Sequence, residues 1–349
     1  MRARLRVVVA APLAPELCEL LTTREPRIDL IVDQTLLPPM RHPADFSGDP
    51  SFRRTPAQQS AYEQLVDSAD ALYGIPDVDP SALARAIRMN PSLRWVHTMA
   101  AGGGGQVKAA ALSEEELDRV VFTTSAGVHG DALAEFAVFG VFAGAKHLPR
   151  LVQQQHDRVW SGRWLMSQVS EQTVLVLGLG GIGSSVAQKL SAVGATVIGT
   201  SRSGASVPGV SRTVHPDDVA SVLSEVDAVV TTLPGTDATH HFVDRRFLAA
   251  LRPGATLVNV GRGTVVDEAA LLDALESGVV GFAALDVFEV EPLPDESPLW
   301  GHPRVLVSPH TAALDAREDR RIAELFADNA TRFLDGAALR NVVDTVEYY

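Results

Sequence analysis

The chain of 349 residues contains a single cysteine, Cys18, so no internal disulfide can form, and no cysteine cluster exists to hold zinc or an iron–sulfur group. A lone thiol suits a reducing compartment and reads as a small buried apolar group. Lysine occurs only at positions 108, 146 and 189, and the net charge is −13 without any basic run. Nucleic acid is therefore not expected as a partner, because neutralising phosphates takes clustered Lys and Arg. No apolar run approaches the ~20 residues that cross a bilayer, so no membrane association is expected either. Residues 1–11 imitate a secretory leader, but their apolar run is short and Pro12 interrupts it, which leaves the cytoplasm as the expected location. The histidines, including the neighbours His240 and His241, lack metal-ligand spacing with other His, Cys or carboxylates, so no metal site is expected. Internal repeats and low-complexity tracts are absent as well.

What is present points to an α/β protein. A chain this long exceeds what one hydrophobic core usually organises, so two domains with a cleft between them are expected. Short β-branched runs at 5–10, 28–32, 71–75, 95–99 and 120–123 alternate with helical patterns, the signature of parallel strands in βαβ units. Residues 36–55 are rich in Pro, Asp, Ser and Arg and read as a surface loop. Residues 131–151 read as one long apolar helix, and a new strand begins at Thr173.

That strand, 173–177, runs into Gly178-Leu-Gly180-Gly181-Ile182-Gly183, followed by a helix bearing Val186, Ala187, Leu190 and Val193. A glycine motif of this spacing, with a strand before it and a helix after it, is the context of a dinucleotide-binding turn. The first glycine permits the turn, the second lets backbone approach a pyrophosphate, and the third packs helix on strand. The next strand, 195–199, ends at Ser201-Arg202-Ser203, where a carboxylate would grip the ribose diol of NAD. A hydroxyl and an arginine there favour the 2′-phosphate of NADP(H), with NAD(H) as the secondary cofactor.

Further strands at 228–232, 256–260, 281–285 and 305–308 each deliver polar residues just past their carboxyl ends: Arg262, Asp286, Glu291 and His310. Open α/β sheets bind ligands at that edge, so these residues form one candidate constellation. Their types match one chemistry. A 2-keto acid offers a carboxylate and a carbonyl that suit an arginine fork, and its carbonyl oxygen must gain a proton, which suits a histidine oriented by a glutamate.

The blocks Val258-Asn-Val260-Gly261-Arg262-Gly-Thr-Val-Val-Asp267, Leu285-Asp286-Val-Phe-Glu-Val-Glu291-Pro292 and Ser308-Pro-His310-Thr311, in this order after the glycine motif, closely resemble the D-isomer-specific 2-hydroxyacid dehydrogenases. The resemblance is tight from about residue 126 to 314 and looser in the flanks. It implies two Rossmann-like or flavodoxin-like domains with the active site in the cleft: a discontinuous substrate-binding domain, 1–124 with 315–349, and a dinucleotide-binding domain, 125–314. It further implies Arg262 as substrate anchor, His310 as acid/base, Glu291 as its carboxylate partner and Asp286 as the holder of the nicotinamide carboxamide. Leu233, Pro234 and Thr239 are implied as adenosine and phosphate contacts, and Val260 and Gly261 as neighbours of the nicotinamide. Ala101, Gly102 and Gly103 fall where the family's loop cradles the substrate carboxylate, here in a glycine-rich stretch, 99–105, without a side chain to set specificity.

The activity expected from this resemblance is reduction of glyoxylate, hydroxypyruvate or a related 2-keto acid to the D-2-hydroxy acid by a homodimer. Two alternatives stand beside it. One is a non-catalytic dinucleotide-sensing corepressor, against which the complete Arg, Glu and His set speaks. The other is a dehydrogenase of phosphoglycerate, formate or phosphite.

Overall fold

The computed structural model describes residues 4–42, 44–204, 206–346 and 348. The first stretch of the chain alternates β1 Leu5–Val9, α1 Pro15–Arg24, β2 Ile28–Ile31, α2 Pro56–Val66, β3 Ala71–Tyr73, α3 Pro80–Met89 and β4 Trp95–His97, then α4 Gly104–Ala109, α5 Glu114–Arg119 and β5 Val121–Thr123. The second comprises α6 Gly130–Ala145, α7 Leu148–His156, β6 Thr173–Leu177, α8 Gly181–Ala192, β7 Thr196–Thr200, β8 Arg212–Val214, β9 Ala228–Thr231 and α9 Arg245–Ala249. It continues with β10 Ala255–Asn259, α10 Glu268–Ser277, β11 Val280–Leu285 and β12 Val305–Val307, before the long α11 Glu318–Leu334. Two compact units result, 1–129 with 314–349, and 130–313.

In the first unit a five-stranded sheet runs β2-β1-β3-β4-β5, and in the second a seven-stranded sheet runs β12-β11-β10-β9-β6-β7-β8, every pairing parallel. Parallel strands are covered on both faces, which is why their sequences read as unbroken apolar runs such as Val174-Leu-Val-Leu177, each residue fully buried. Helix α11 returns to complete the first unit: Phe326 stacks on Trp95 at 4.5 Å between ring centres with planes 13° apart. The indole Nε1 donates to Thr123 Oγ1 at 2.8 Å, so the largest core side chain leaves no polar atom unpaired.

Every expected strand forms, with ends shifted by at most two residues. Strand β8 was not legible, because three half-exposed residues on the sheet's edge carry no apolar signal. The single helix expected over 131–151 is two helices. His147 takes a left-handed φ of 50°, and Pro149, which lacks an N–H, sits in the first turn of the second helix. Val193 caps α8 and is exposed instead of packing with it. Residues 104–105 of the glycine stretch begin α4. Residues 125–129 pack with the first unit and not, as expected, with the second. Ser125 Oγ lies 3.2 Å from His97 Nε2, and His129 Nε2 lies 2.8 Å from Glu318 Oε1 at the start of α11. The 36–55 segment is irregular, yet it is no simple surface loop: Leu36, Leu37 and Asp45 are buried.

One buried carboxylate ties the first unit's ends together. Glu25 at the end of α1 accepts from Arg27 Nε at 2.8 Å and Nη2 at 2.6 Å, and from Thr331 Oγ1 of α11 at 2.7 Å. The Arg27 guanidinium, assisted by Thr331 and opposed by burial, holds the Glu25 carboxyl down at about 2. A depressed carboxylate stabilises the fold fully above its unfolded value, about 4.3, and that contribution is lost as pH falls toward the folded value. Denaturant titrations of wild type and Glu25→Gln are therefore expected to differ most above pH 5 and to converge near pH 2. A difference that stays constant with pH would refute this.

Candidate active site

The turn after β6 is built from close backbone approaches. Gly178 sits at φ +89°, a conformation that L side chains disfavour. Its N–H donates to Thr200 Oγ1 at 2.8 Å, and its carbonyl accepts from Thr232 Oγ1 at 2.8 Å. A Cβ on Gly183 would fall 1.9 Å from Gly178 O, so only glycine lets α8 close on the strand. At Gly180, in contrast, a Cβ would meet nothing within 4 Å, and no side chain caps the start of α8. The start of this twelve-residue helix thus carries no side-chain cap and leaves room beside Gly180, as an anion cradle requires. At the end of β7, Ser201 N donates to Val214 O at 3.1 Å, the Ser201 and Ser203 hydroxyls lie 3.1 Å apart, and Arg202 is exposed.

The loops after β9 to β12 converge on one another. Asn259, buried at the end of β10, accepts from Gly261 N and donates to Arg262 O, both at 3.0 Å, and so fixes the turn that presents Arg262. Arg262 itself is exposed, with Nη1 donating to Gly261 O at 2.8 Å. A Cβ on Gly261 would lie 2.6 Å from Leu233 O, and one on Gly263 would lie 1.8 Å from Phe288 O. Backbone therefore packs directly on backbone between the 233–234, 261–263 and 286–291 loops. Thr239 Oγ1, 2.5 Å from Pro234 O and accepting from Thr236 N at 2.9 Å, closes the 234–239 turn.

Asp286 anchors the last loop. Its Oδ1 accepts from Ser308 Oγ at 2.6 Å, Thr311 N at 2.9 Å and Ala312 N at 3.0 Å, and its carbonyl accepts from His310 N at 2.9 Å. Oδ2 is buried and has no hydrogen-bond partner among the described residues. Burial raises the carboxyl above the usual carboxylate range, against the three hydrogen bonds and the nearby His310. His310, held at φ +52°, brings Nδ1 to 2.7 Å from Glu291 Oε2, while Glu291 Oε1 accepts from Phe288 N at 3.0 Å. Both lone-pair ends of Glu291 are thereby used, and the imidazole keeps Nε2 away from that carboxylate.

Arg262, Asp286, Glu291 and His310 thus share one strand edge with the glycine turn, Leu233, Pro234, Thr239 and the buried Val260. Ala101, Gly102 and Gly103 belong to the first unit, past β4. There Gly103 is buried, and a Cβ on it would lie 1.8 Å from Thr98 Oγ1, so packing alone demands glycine. The supporting residues Asn259, Thr200, Thr232 and Ser308 escaped the sequence reading. Their only signal is a polar residue at the last position of an apolar strand or just beyond it.

A second acidic pairing was also unforeseen. Glu268 and Glu289 each accept the other's backbone N–H, at 2.7 and 3.0 Å, and His241 Nε2 lies 3.0 Å from Glu289. Burial, followed by the charges of Glu289 and Glu291, raises the Glu268 carboxyl. No group of three or more metal-ligating side chains occurs among the described residues, and no helix is long and apolar enough to cross a membrane.

Residues 138–312 match the family model of the D-isomer specific 2-hydroxyacid dehydrogenase, NAD binding domain. A glyoxylate/hydroxypyruvate reductase B of Serratia proteamaculans is 30% identical over 295 residues, 83% of this chain and 89% of that protein. Among solved structures, a D-isomer specific 2-hydroxyacid dehydrogenase of Xanthobacter autotrophicus Py2 in complex with NADPH and MES aligns with a TM-score of 0.78 and 29% identity, covering 99% of this chain and 100% of that one. An NADPH-dependent glyoxylate/hydroxypyruvate reductase of Sinorhizobium meliloti in complex with NADP and sulfate aligns at 0.77 with 26% identity, covering 99% and 100%. The chain belongs to the D-isomer-specific 2-hydroxyacid dehydrogenase family. It is accordingly an NAD(P)-dependent oxidoreductase of 2-hydroxy acids, and a non-catalytic sensor is not favoured.

Proposed function

We propose that this enzyme reduces glyoxylate, hydroxypyruvate or a closely related 2-keto acid to the D-2-hydroxy acid, with NADPH preferred to NADH. The observation that carries the reading is the 2.7 Å His310–Glu291 pair on the same strand edge as the braced Arg262. The names of the Serratia and Sinorhizobium relatives support the substrate. On this reading the unit 130–313 binds the dinucleotide, and the unit formed by 1–129 and 314–349 contributes the substrate-binding domain, with Ala101, Gly102 and Gly103 in its carboxylate loop.

The residues fit a dinucleotide: the open face at Gly180, with Gly181, Ile182 and Gly183 beginning the helix, would take the pyrophosphate. The unpartnered Asp286 Oδ2 would accept from the carboxamide, with Val260 and Gly261 beside the ring and Leu233, Pro234 and Thr239 along the adenosine and phosphate side. The bound cofactor supplies a hydride to C2. Arg262 binds the carboxylate and polarises the carbonyl through two parallel N–H donors. Glu291 accepts from His310 Nδ1 and orients the ring, so that Nε2 gives its proton to the oxygen that becomes the hydroxyl. Hydride and proton together complete the reduction, and solvent reprotonates His310.

His310→Asn is expected to lower kcat for glyoxylate by about 10²-fold or more with little change in NADPH affinity. Glu291→Gln should lower kcat while KM for NADPH holds. Steady-state kinetics with titrated cofactor decide this, and near wild-type turnover in the His310 variant would remove it from the mechanism.

Ser201 stands where a carboxylate would exclude a 2′-phosphate, and Arg202 beside it adds a positive charge. One charge-assisted hydrogen bond is worth about 1.5–3 kcal/mol, roughly a 10- to 150-fold preference for NADPH. The kcat/KM ratio for the two cofactors should fall toward unity in Arg202→Ala. A wild type that favours NADH, or an alanine variant with its preference intact, contradicts the assignment.

We further propose a cytoplasmic homodimer. The lone thiol supports the compartment. Phe139, Val152, Val159, Trp160 and Leu165 support the assembly, because they crowd exposed apolar surface onto the α6–α7 segment and its continuation, with Trp160 wholly exposed. Sedimentation equilibrium at micromolar concentration should give twice the protomer mass, and Trp160→Asp should give the protomer. A monomeric wild type overturns the proposal.

A further inference from the structure

Three loops of the second unit meet at a pair of glutamates that the chemistry above leaves unused. Glu268 begins α10, at the end of the segment that follows Arg262, and Glu289 lies two residues before Glu291. Glu289 N donates to Glu268 Oε1 at 2.7 Å, and Glu268 N donates to Glu289 Oε1 at 3.0 Å. His241, in the loop after β9, places Nε2 3.0 Å from the same Glu289 oxygen and donates its own backbone N–H to Thr264 O at 2.8 Å. The loops after β9, β10 and β11 are thereby joined at one point.

This joint costs stability. Burial first, then the charges of Glu289 and Glu291, raise the Glu268 carboxyl, against the hydrogen bond from Glu289 N. His241 is held at φ +49°, a left-handed backbone that residues with side chains disfavour. Capping of α10 does not account for the arrangement, because Asp267 already accepts from Ala270 N at 2.9 Å as the cap of that helix. Strain and like charge persist only where the surrounding structure imposes them, and they gather at sites that need a fixed geometry.

What the joint fixes is the segment that carries Glu291. Val290 is 60% exposed, and among the described residues Glu268 and His241 supply the hydrogen bonds that tie 289–290 to other segments. Glu289 adjoins Phe288, whose N–H donates to Glu291 Oε1 at 3.0 Å, and Glu291 Oε2 in turn meets His310 Nδ1 at 2.7 Å. The turn of Arg262 is held separately, by Asn259. We propose that Glu268 and Glu289 are positioning residues that act on His310 through Glu291. Their acceptor oxygens hold the peptide between 288 and 289 still, and the Glu291 carboxylate stays aimed at the imidazole. The part played by His310 itself rests on the function proposed above.

A double-mutant cycle on the full-length enzyme tests this, with kcat for its best 2-keto acid as the readout. Glu268→Ala removes the acceptor of Glu289 N and is expected to lower kcat about tenfold while KM for NADPH holds. In a Glu291→Gln background the same substitution should cost less than about twofold, because the group through which it acts is already altered. Glu268→Gln keeps an acceptor oxygen in place and should restore at least about half of the wild-type kcat. Full kcat in Glu268→Ala, equal losses in the two backgrounds, or a glutamine variant as slow as the alanine variant overturns the inference. Should Glu268→Ala melt early, Glu289→Ala breaks the other half of the joint at a partly exposed residue and enters the same cycle. If wild type reduces no 2-keto acid, the function proposed above fails, and NMR of protein labelled at its histidines decides the joint alone. The His310 Nδ1 resonance, identified by its absence in His310→Asn, should shift in Glu268→Ala and return in Glu268→Gln. A resonance that Glu268→Ala leaves unmoved overturns the inference on its own.

Discussion

One oxygen atom organises the strand edge on which the proposed chemistry rests. Three donors from 308–312 converge on Asp286 Oδ1, and the same residue's carbonyl takes His310 N. With its backbone fixed in a left-handed conformation, His310 has its imidazole carried to Glu291. A carboxylate buried to this degree persists only where hydrogen bonds replace its lost hydration, so the loop and the charge stabilise each other. Removing either would release both.

A second constraint is how closely the loops must pack. Gly183, Gly261 and Gly263 each stand where a Cβ would enter the atoms of another segment. Two of them flank Arg262, whose turn is tied by Asn259 on one side and pressed against Phe288 on the other. A long, flexible arginine is therefore carried on rigid backbone, which limits the entropy lost when it engages an anion.

Much of this was legible in the sequence because parallel sheets write their strands as uninterrupted apolar runs and place polar residues at the strand ends. The run 173–177 and the glycines after it could be read as strand and turn without any tertiary information. Features that depend on a partner distant in the chain were not legible. That packing too requires glycine at 103 is hidden until Thr98 is seen against it, and nothing near His129 in the sequence announces its partner Glu318. Strand β8 exists only because β7 offers it an edge. The 36–55 segment looked like a solvated loop, since composition cannot reveal that Leu36 and Leu37 anchor it in the core.

Helix α11 has a consequence for how the first unit comes into being. The ring of Phe326 covers Trp95, and Thr331 reaches Glu25, so the first unit's sheet lacks part of one face until α11, which follows the whole second unit in the chain, has been made. The unit of residues 130–313 is one continuous span, all of it made before α11. Folding can therefore be completed in the order second unit, then first, and β1, β3 and β4 wait for α11 with apolar surface uncovered.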